Sequence, residues 1–229
     1  MTLSSSRAKY VSVSALLVIV GIVLSGPVGV IIIQASSPQP PWQNAGIFVE
    51  NYSPVQAMPY AFGFVMVLGF LLFFASLVSV GEDRQRPLEM MGPSLGTVFG
   101  SLISLNYIIQ IAYLPHALDQ DAAILSFLAM ANPTSVAWAI EMFGYGILGV
   151  ATIAVAPLFS GPGLQRVIRW LLVSNGIVSV GGSVVTAIDL PGILSTPGLV
   201  GYVLWNILVV IMMALVMAEF RFGKPPRHG

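Results

Sequence analysis

The chain has 229 residues, 56% of them hydrophobic and 8% charged, with nine Lys or Arg balanced by nine Asp or Glu. Soluble domains carry about 25% charged residues, so this composition, with a mean hydropathy of +0.90, is that of an integral membrane protein. The absence of cysteine excludes disulfides, thiolate metal centres, iron–sulfur ligation and thiol catalysis. Zero net charge without a basic run leaves no electrostatic footprint for nucleic acid.

Apolar windows of about 20 residues are long enough to cross a bilayer core of roughly 30 Å as helices. Such windows occur at 11–33, 58–80, 95–114, 136–159, 167–188 and 199–220. They predict an all-α integral membrane fold, a six-transmembrane-helix bundle that forms a single domain over 1–229. Arg7 and Lys9 precede the first window as they would a signal peptide. Its apolar run is too long for a signal h-region and no Ala-x-Ala site follows it, so it reads as a retained helix.

Lys and Arg near helix ends favour the cytoplasmic side. Arg7 and Lys9 lie before the first span, Arg84 and Arg86 between the second and third, Arg166 and Arg169 between the fourth and fifth, and Arg221, Lys224 and Arg227 after the sixth. With six spans these four segments share one face, which predicts that both termini are cytoplasmic. The opposite loops carry only acids: Glu50, Asp119, Asp121 and Asp189. The longest of them, 34–54, mixes Pro38, Pro40 and Pro41 with Trp42, Phe48 and Tyr52, aromatic residues that settle at headgroup level. Asn51-Tyr52-Ser53 matches a glycosylation acceptor, with meaning only in a secretory pathway.

Small residues at four-residue spacing on the first span (Gly21, Ser25, Gly29) and the third (Gly96, Gly100, Ser104) are expected to form packing seams. Pro27 and the Gly181-Gly182 pair are expected bend points.

At 100° per residue, Asn106, Gln110 and Tyr113 share an arc of the third span. Trp138, Glu141 and Tyr145 do the same on the fourth. Asn175, Ser179, Gly182 and Thr186 align on the fifth, and Tyr202 and Asn206, with Trp205 beside them, on the sixth. At 1.5 Å rise per residue, Gln110, Glu141 and Asn206 lie roughly 6 to 10 Å below the outer helix ends. A polar stripe facing lipid would leave its groups unpaired, so these residues are expected to face one another around an outward-opening pocket. Glu141 stands out because a carboxylate at that depth costs a few kcal/mol on insertion scales, roughly 3. Two states are open to it: a protonated interhelical clamp to Gln110 or Tyr145, or an ionised, cation-accepting group. His116, Asp119 and Asp121 sit at the mouth, with too few ligands for a firm metal site. No Gly-x-Ser-x-Gly elbow is present, and no lysine lies within a span to form a Schiff base. No cofactor is expected.

The pattern Asn106-Tyr107-Ile108-Ile109-Gln110, Asn132-Pro133 and Ala139-Ile140-Glu141-Met142-Phe143-Gly144-Tyr145 resembles one that recurs in uncharacterised bacterial multi-pass membrane proteins. It covers about a fifth of the chain. The resemblance implies that Gln110 and Glu141 matter, and it implies no activity.

The leading expectation is a non-enzymatic protein of the cell membrane that binds or passes a small amphipathic or cationic ligand. Glu141 would be the charge partner, Asn106, Gln110 and Asn206 the hydrogen-bonding lining, and Tyr113, Trp138, Tyr145, Tyr202 and Trp205 the remaining walls. The rivals are an intramembrane enzyme using Glu141 as acid or base on a lipid-like substrate, and a structural subunit of a membrane complex. Membrane lipid is an expected partner. A second copy or another membrane subunit would be a further one.

Overall fold

The structure, a computed structural model, describes residues 5–78, 86–119 and 121–222, with the backbone alone for 5–7 and 221–222. The expected end of the second span at Val80, the Arg84 side of its loop, and the basic tail with Lys224 and Arg227 lie outside the described residues. The order is α1 (Ser5–Ser25), α2 (Pro27–Ser36), α3 (Ala45–Glu50), α4 (Met58–Ser76), α5 (Arg86–Ile108), α6 (Ala122–Leu128), α7 (Val136–Val155), α8 (Leu164–Ile188), α9 (Leu190–Ile193) and α10 (Thr196–Phe222). No strand occurs among the described residues.

Six helical stretches are long and apolar enough to cross a membrane: Ala8–Ser36, Pro54–Ser76, Arg86–His116, Val136–Leu158, Leu164–Ile188 and Thr196–Phe220. Each packs against its neighbours in chain order, α1 on α4, α4 on α5, α5 on α7, α7 on α8 and α8 on α10, and α10 returns to α1. The result is a closed ring of six helices. Its outside carries exposed Leu68, Leu105, Ile177 and Leu204, an apolar surface suited to hydrocarbon and not to water. Its centre is filled by Phe70, Phe73, Phe74, Phe99, Leu148, Leu172 and Met213.

The small-residue seams form as the spacing predicts. A Cβ on Gly21 would strike the backbone of Met66, and one on Gly69 would stand 2.7 Å from the Val18 nitrogen, so α1 and α4 touch backbone to backbone. Gly96 and Gly100 lie against Phe74 and Leu71 of α4. The fourth span adds a seam of its own: Gly146 and Gly149 of α7 meet Ser183 and Gly176 of α8.

Of the two expected bend points, one interrupts its helix. The first span breaks at Gly26, between α1 and α2, because Pro27 has no N–H to give the Val23 carbonyl. The second does not interrupt its helix, since α8 runs unbroken through Gly181 and Gly182. Glycine keeps its backbone donor and costs a helix only about 1 kcal/mol. Four starts also differ from the reading of the sequence, among them α1 at Ser5 rather than Val11 and α10 at Thr196 rather than Leu199. α5 begins at Arg86 rather than Leu95, carrying Pro93 inside it, and Gly92 there packs on Val155 and Phe74. α8 begins at Leu164, with Gly163 at a positive φ of 65° turning the chain into it.

At one end of the ring the connections fold into a cap. Phe48 and Ala45 of α3 pack with Leu125 and Ala129 at α6, and with Leu114 and Ala117 from the end of the third span. Asn44 and Asp121 cap α3 and α6 by accepting from the Ile47 and Ala123 amides. Gln56 ties the proline-rich segment down by donating to the carbonyls of Ser37 (3.1 Å) and Asn51 (2.9 Å). Burial in this cap raises the Tyr52 phenol above its ordinary range.

Candidate functional site

Glu141 is on α7, the most enclosed span, whose apolar window is 50% buried against 28–39% for the others. Ser135 starts the helix by accepting from the Trp138 amide at 3.0 Å, which sets Glu141 within the second turn from the cap. Gly144 then lets α5 approach: a Cβ there would be 2.6 Å from Ile103 Cδ1. At that separation adjacent residues of α5 reach the two carboxylate oxygens. Asn106 Nδ2 donates to Glu141 Oε2 at 2.9 Å and to the Ala137 carbonyl at 3.1 Å, while Tyr107 Oη donates to Oε1 at 3.0 Å. Tyr107 and Tyr145 share a further hydroxyl contact at 3.0 Å.

Tyr107 lay in the sequence pattern but not among the expected site residues, because it points 100° away from the Asn106–Gln110 arc. Its place is decided by another helix. The ring sits over Gly63 of α4, where any Cβ would collide with it, between Tyr60 and Phe64 at centroid distances of 5.6 and 5.8 Å. The glycine in the second span was the available signal, and it has meaning only once α4 and α5 are known to be neighbours.

The aromatic contacts continue inward. Tyr145 packs on Phe99 at 5.6 Å and edge-on to Trp205 of α10 at 5.2 Å. Trp205 Nε1 reaches Asn175 Oδ1 (3.0 Å) and Ser179 Oγ (3.1 Å) on α8, and Asn175 Nδ2 donates to Thr152 Oγ1 on α7 (3.1 Å). Ser183 closes the α7–α8 contact by donating to the Met142 carbonyl at 2.7 Å. Thr186 bonds within its own helix, to the Gly182 carbonyl.

Four expected positions differ. Gln110 does not bond Glu141. It donates to the Leu128 carbonyl at 2.8 Å, accepts from the Met130 amide at 3.1 Å, and reaches Asn106 Oδ1 only at 3.5 Å. Asn106 therefore stands between the two, and Gln110 serves the cap. Tyr113 leaves the arc: the third span turns into a π-helical segment at Ile109–Tyr113, whose i→i+5 bonding breaks the 100° count. Tyr113 is 42% exposed, beside an apolar groove of about 480 Å³ that it lines with Ala123, Ile124, Phe127 and Leu128 of α6. Tyr202 and Asn206 face the first span, beside Gly26.

Two of the expected lining residues carry a buried polar atom without a hydrogen-bond partner, Trp138 Nε1 and Asn206 Oδ1. The acidic turn contributes structure: Asp121 is a helix cap, and among the described residues no three His, Asp or Glu gather as a metal site would require. Asn132 of the Asn-Pro pair shapes the entry to α7, donating to the Ser126 carbonyl (2.6 Å) and accepting from the Thr134 amide (3.1 Å).

The chain was compared with family models, curated proteins and solved structures, and none of the three gives a match.

Proposed function

We propose that this six-span membrane protein takes up a small cationic or amphipathic ligand at Glu141, from the side of the membrane that the cap faces. The observation that carries the reading is the character of the carboxylate's partners. Both oxygens are held, and both donors, Asn106 and Tyr107, are neutral. An ionised carboxylate in such a place is short of one positive charge, since neutral hydrogen bonds do not balance it in a low-dielectric interior. A proton or an organic cation would supply that charge. The aromatic faces of Tyr107, Tyr145 and Trp205 give a cation further electrostatic support. Trp138, with its unpaired indole N–H three residues before Glu141, is the group suited to a hydrogen-bond acceptor on the same ligand.

The cap is assigned to the outer face because Lys9, Arg86, Arg166 and Arg169 all lie near the opposite helix ends. On that orientation both termini are cytoplasmic. Binding of tetraphenylphosphonium and of a quaternary ammonium to the purified protein tests the function. Saturable binding that is lost in Glu141→Gln is the expected result, and binding of neither probe, or equal binding by the variant, would overturn it.

A second reading has its own observation. Glu141 joins α5 to α7 through two hydrogen bonds, which is also how an interhelical clamp in a structural subunit is built. Under that reading Glu141→Gln would leave every property of the protein unchanged.

A further inference from the structure

We infer that the ligand of Glu141 is an amphiphile with a cationic head and a hydrocarbon chain, and that it comes from the membrane through a window between α8 and α10. The inference rests on the reading of Glu141 given above and adds to it the chain and the route.

About halfway along the two helices the seam is closed by Trp205 of α10, whose Nε1 bonds Asn175 Oδ1 and Ser179 Oγ of α8. These bonds fix the face that each helix turns to the other. Farther out, Gly201 lies about 40° from Trp205 round α10, and Gly182 about 20° from Asn175 round α8, so both glycines stand on the faces that meet at Trp205. They do not touch. A Cβ on Gly201 would have nothing within 4 Å, and one on Gly182 only Met142 Cε of α7, at 3.9 Å. The helices are joined at their outer ends through α9, so the gap has a closed top and Trp205 as its floor.

The gap lies at the level of Glu141. Gly182, Gly201 and Glu141 are each five or six residues from the outer end of their helix, about 8 to 9 Å deep. Met142, the residue behind Gly182, follows Glu141 in the chain. Tyr145, edge-on to Trp205 at 5.2 Å, joins the floor of the gap to the Tyr107 hydroxyl that holds the carboxylate.

What fills the gap follows from the exposure of α10. Residues 199–204 are all exposed, and six consecutive residues cover every side of a helix. The inner half of the same helix fully buries Val209, Met212, Met213 and Val216. A second protein would lie along one side of α10, whereas a helix end bare on all sides, with Leu199, Val200, Val203 and Leu204 exposed, is matched by fluid hydrocarbon. The gap is continuous with that surface. A chain that carries a cation into it brings the charge to the faces of Trp205 and Tyr145, and from there to Glu141.

The test is photolabelling of the purified full-length protein in lipid nanodiscs, with a dodecyltrimethylammonium that carries a diazirine in the middle of its chain. In the wild type, mass spectrometry should find label at Met142 and Trp205, and tetramethylammonium, which has the head without the chain, should compete with it. Gly182→Leu combined with Gly201→Leu fills the gap. Both leucines enter open space and replace helical glycines, so this variant should fold. It should lose at least about tenfold in label at Met142 while tetramethylammonium binding is kept. Unchanged label at Met142 in that variant, or wild-type label confined to outward residues such as Ile177, would overturn the window. A disulfide-linked dimer formed by Gly201→Cys in the membrane would do the same, by showing a second copy on this face. Failure of the Glu141 reading looks different: label at Met142 would then be lost on filling the gap but unchanged in Glu141→Gln, a chain groove without a cation site, and the inference would fall with that reading.

Discussion

Asn106 and Glu141 are 35 positions apart in the chain, and the 2.9 Å bond between Asn106 Nδ2 and Glu141 Oε2 joins the third span to the fourth. Asn106 uses the same amide group on the Ala137 carbonyl at 3.1 Å, so one side chain holds both the carboxylate and a carbonyl in the first turn of α7. Asn106→Ala would take the donor from Glu141 Oε2, while the Ala137 carbonyl keeps its partner within α7, and is expected to destabilise the protein by about 1 to 3 kcal/mol. Thermal unfolding in detergent measures it, and an unchanged melting temperature would refute the assignment.

Glu141 itself separates folding from charge. In Glu141→Gln the amide oxygen can still accept from Asn106, and the amide nitrogen can donate to Tyr107, whose hydroxyl is free to turn its own proton toward Tyr145. Folding should therefore be nearly unaffected. Glu141→Leu leaves Asn106 and Tyr107 without an acceptor, at about 1 to 3 kcal/mol for each buried group, and should melt well below the Gln variant. The titratable groups around this carboxylate are Tyr60, Tyr107, Tyr145 and Tyr202. No basic side chain is among its hydrogen-bond partners, so any ligand binding that varies between pH 5 and 8 should lose that variation in Glu141→Gln, because tyrosines titrate near 10 in water. Equal melting of the Gln and Leu variants would contradict the hydrogen-bond account.

Gly63→Ala puts a methyl group where the Tyr107 ring lies. The ring is enclosed by Tyr60 and Phe64 and has little room to retreat, so overpacking of about 1 to 3 kcal/mol is expected. Glu141 Oε1 would lose its donor at the same time. Combining Gly63→Ala with Tyr107→Phe should cost less than the sum of the two changes, since both remove the same hydrogen bond. Strict additivity of the melting shifts would show that Gly63 and Tyr107 are not coupled.

Gln110 holds the cap through the Leu128 carbonyl and the Met130 amide. Gln110→Leu should leave the ring of spans in place and loosen the segment after α6, with faster hydrogen exchange at Met130 as the readout. Protection at Met130 equal to that of the wild type would mean that apolar packing of α6 on Leu114 and Ala117 is sufficient to close the cap.

A chain without cysteine suits single-cysteine labelling. Ala123 at the start of α6 and Ser160 between α7 and α8 are both exposed, at opposite ends of the ring. On the proposed orientation an impermeant thiol reagent outside the cell labels Ala123→Cys and spares Ser160→Cys. The reverse pattern would invert the topology.

The six spans were legible in the sequence because length and apolarity are local properties, and a bilayer imposes both on each helix separately. The seams at Gly21 and Gly96 and the break at Pro27 were legible for the same reason: small side chains and a missing N–H act wherever they stand. Helical counting also brought out Glu141 and Asn106 as a pair of polar stripes, but it could not say which atoms meet. The partners of Glu141 depend on which helix lies beside which and how closely, and that is decided by Gly144 against Ile103 and by Gly63 beneath Tyr107. Counting failed where the backbone left the α-helical repeat, at the π turn that carries Tyr113 outward. It failed again for Gln110, whose bonds go to a short loop that no periodicity describes. Hydrogen bonds between spans reward contact at about 3 Å, a distance fixed only when all six helices have closed into the ring.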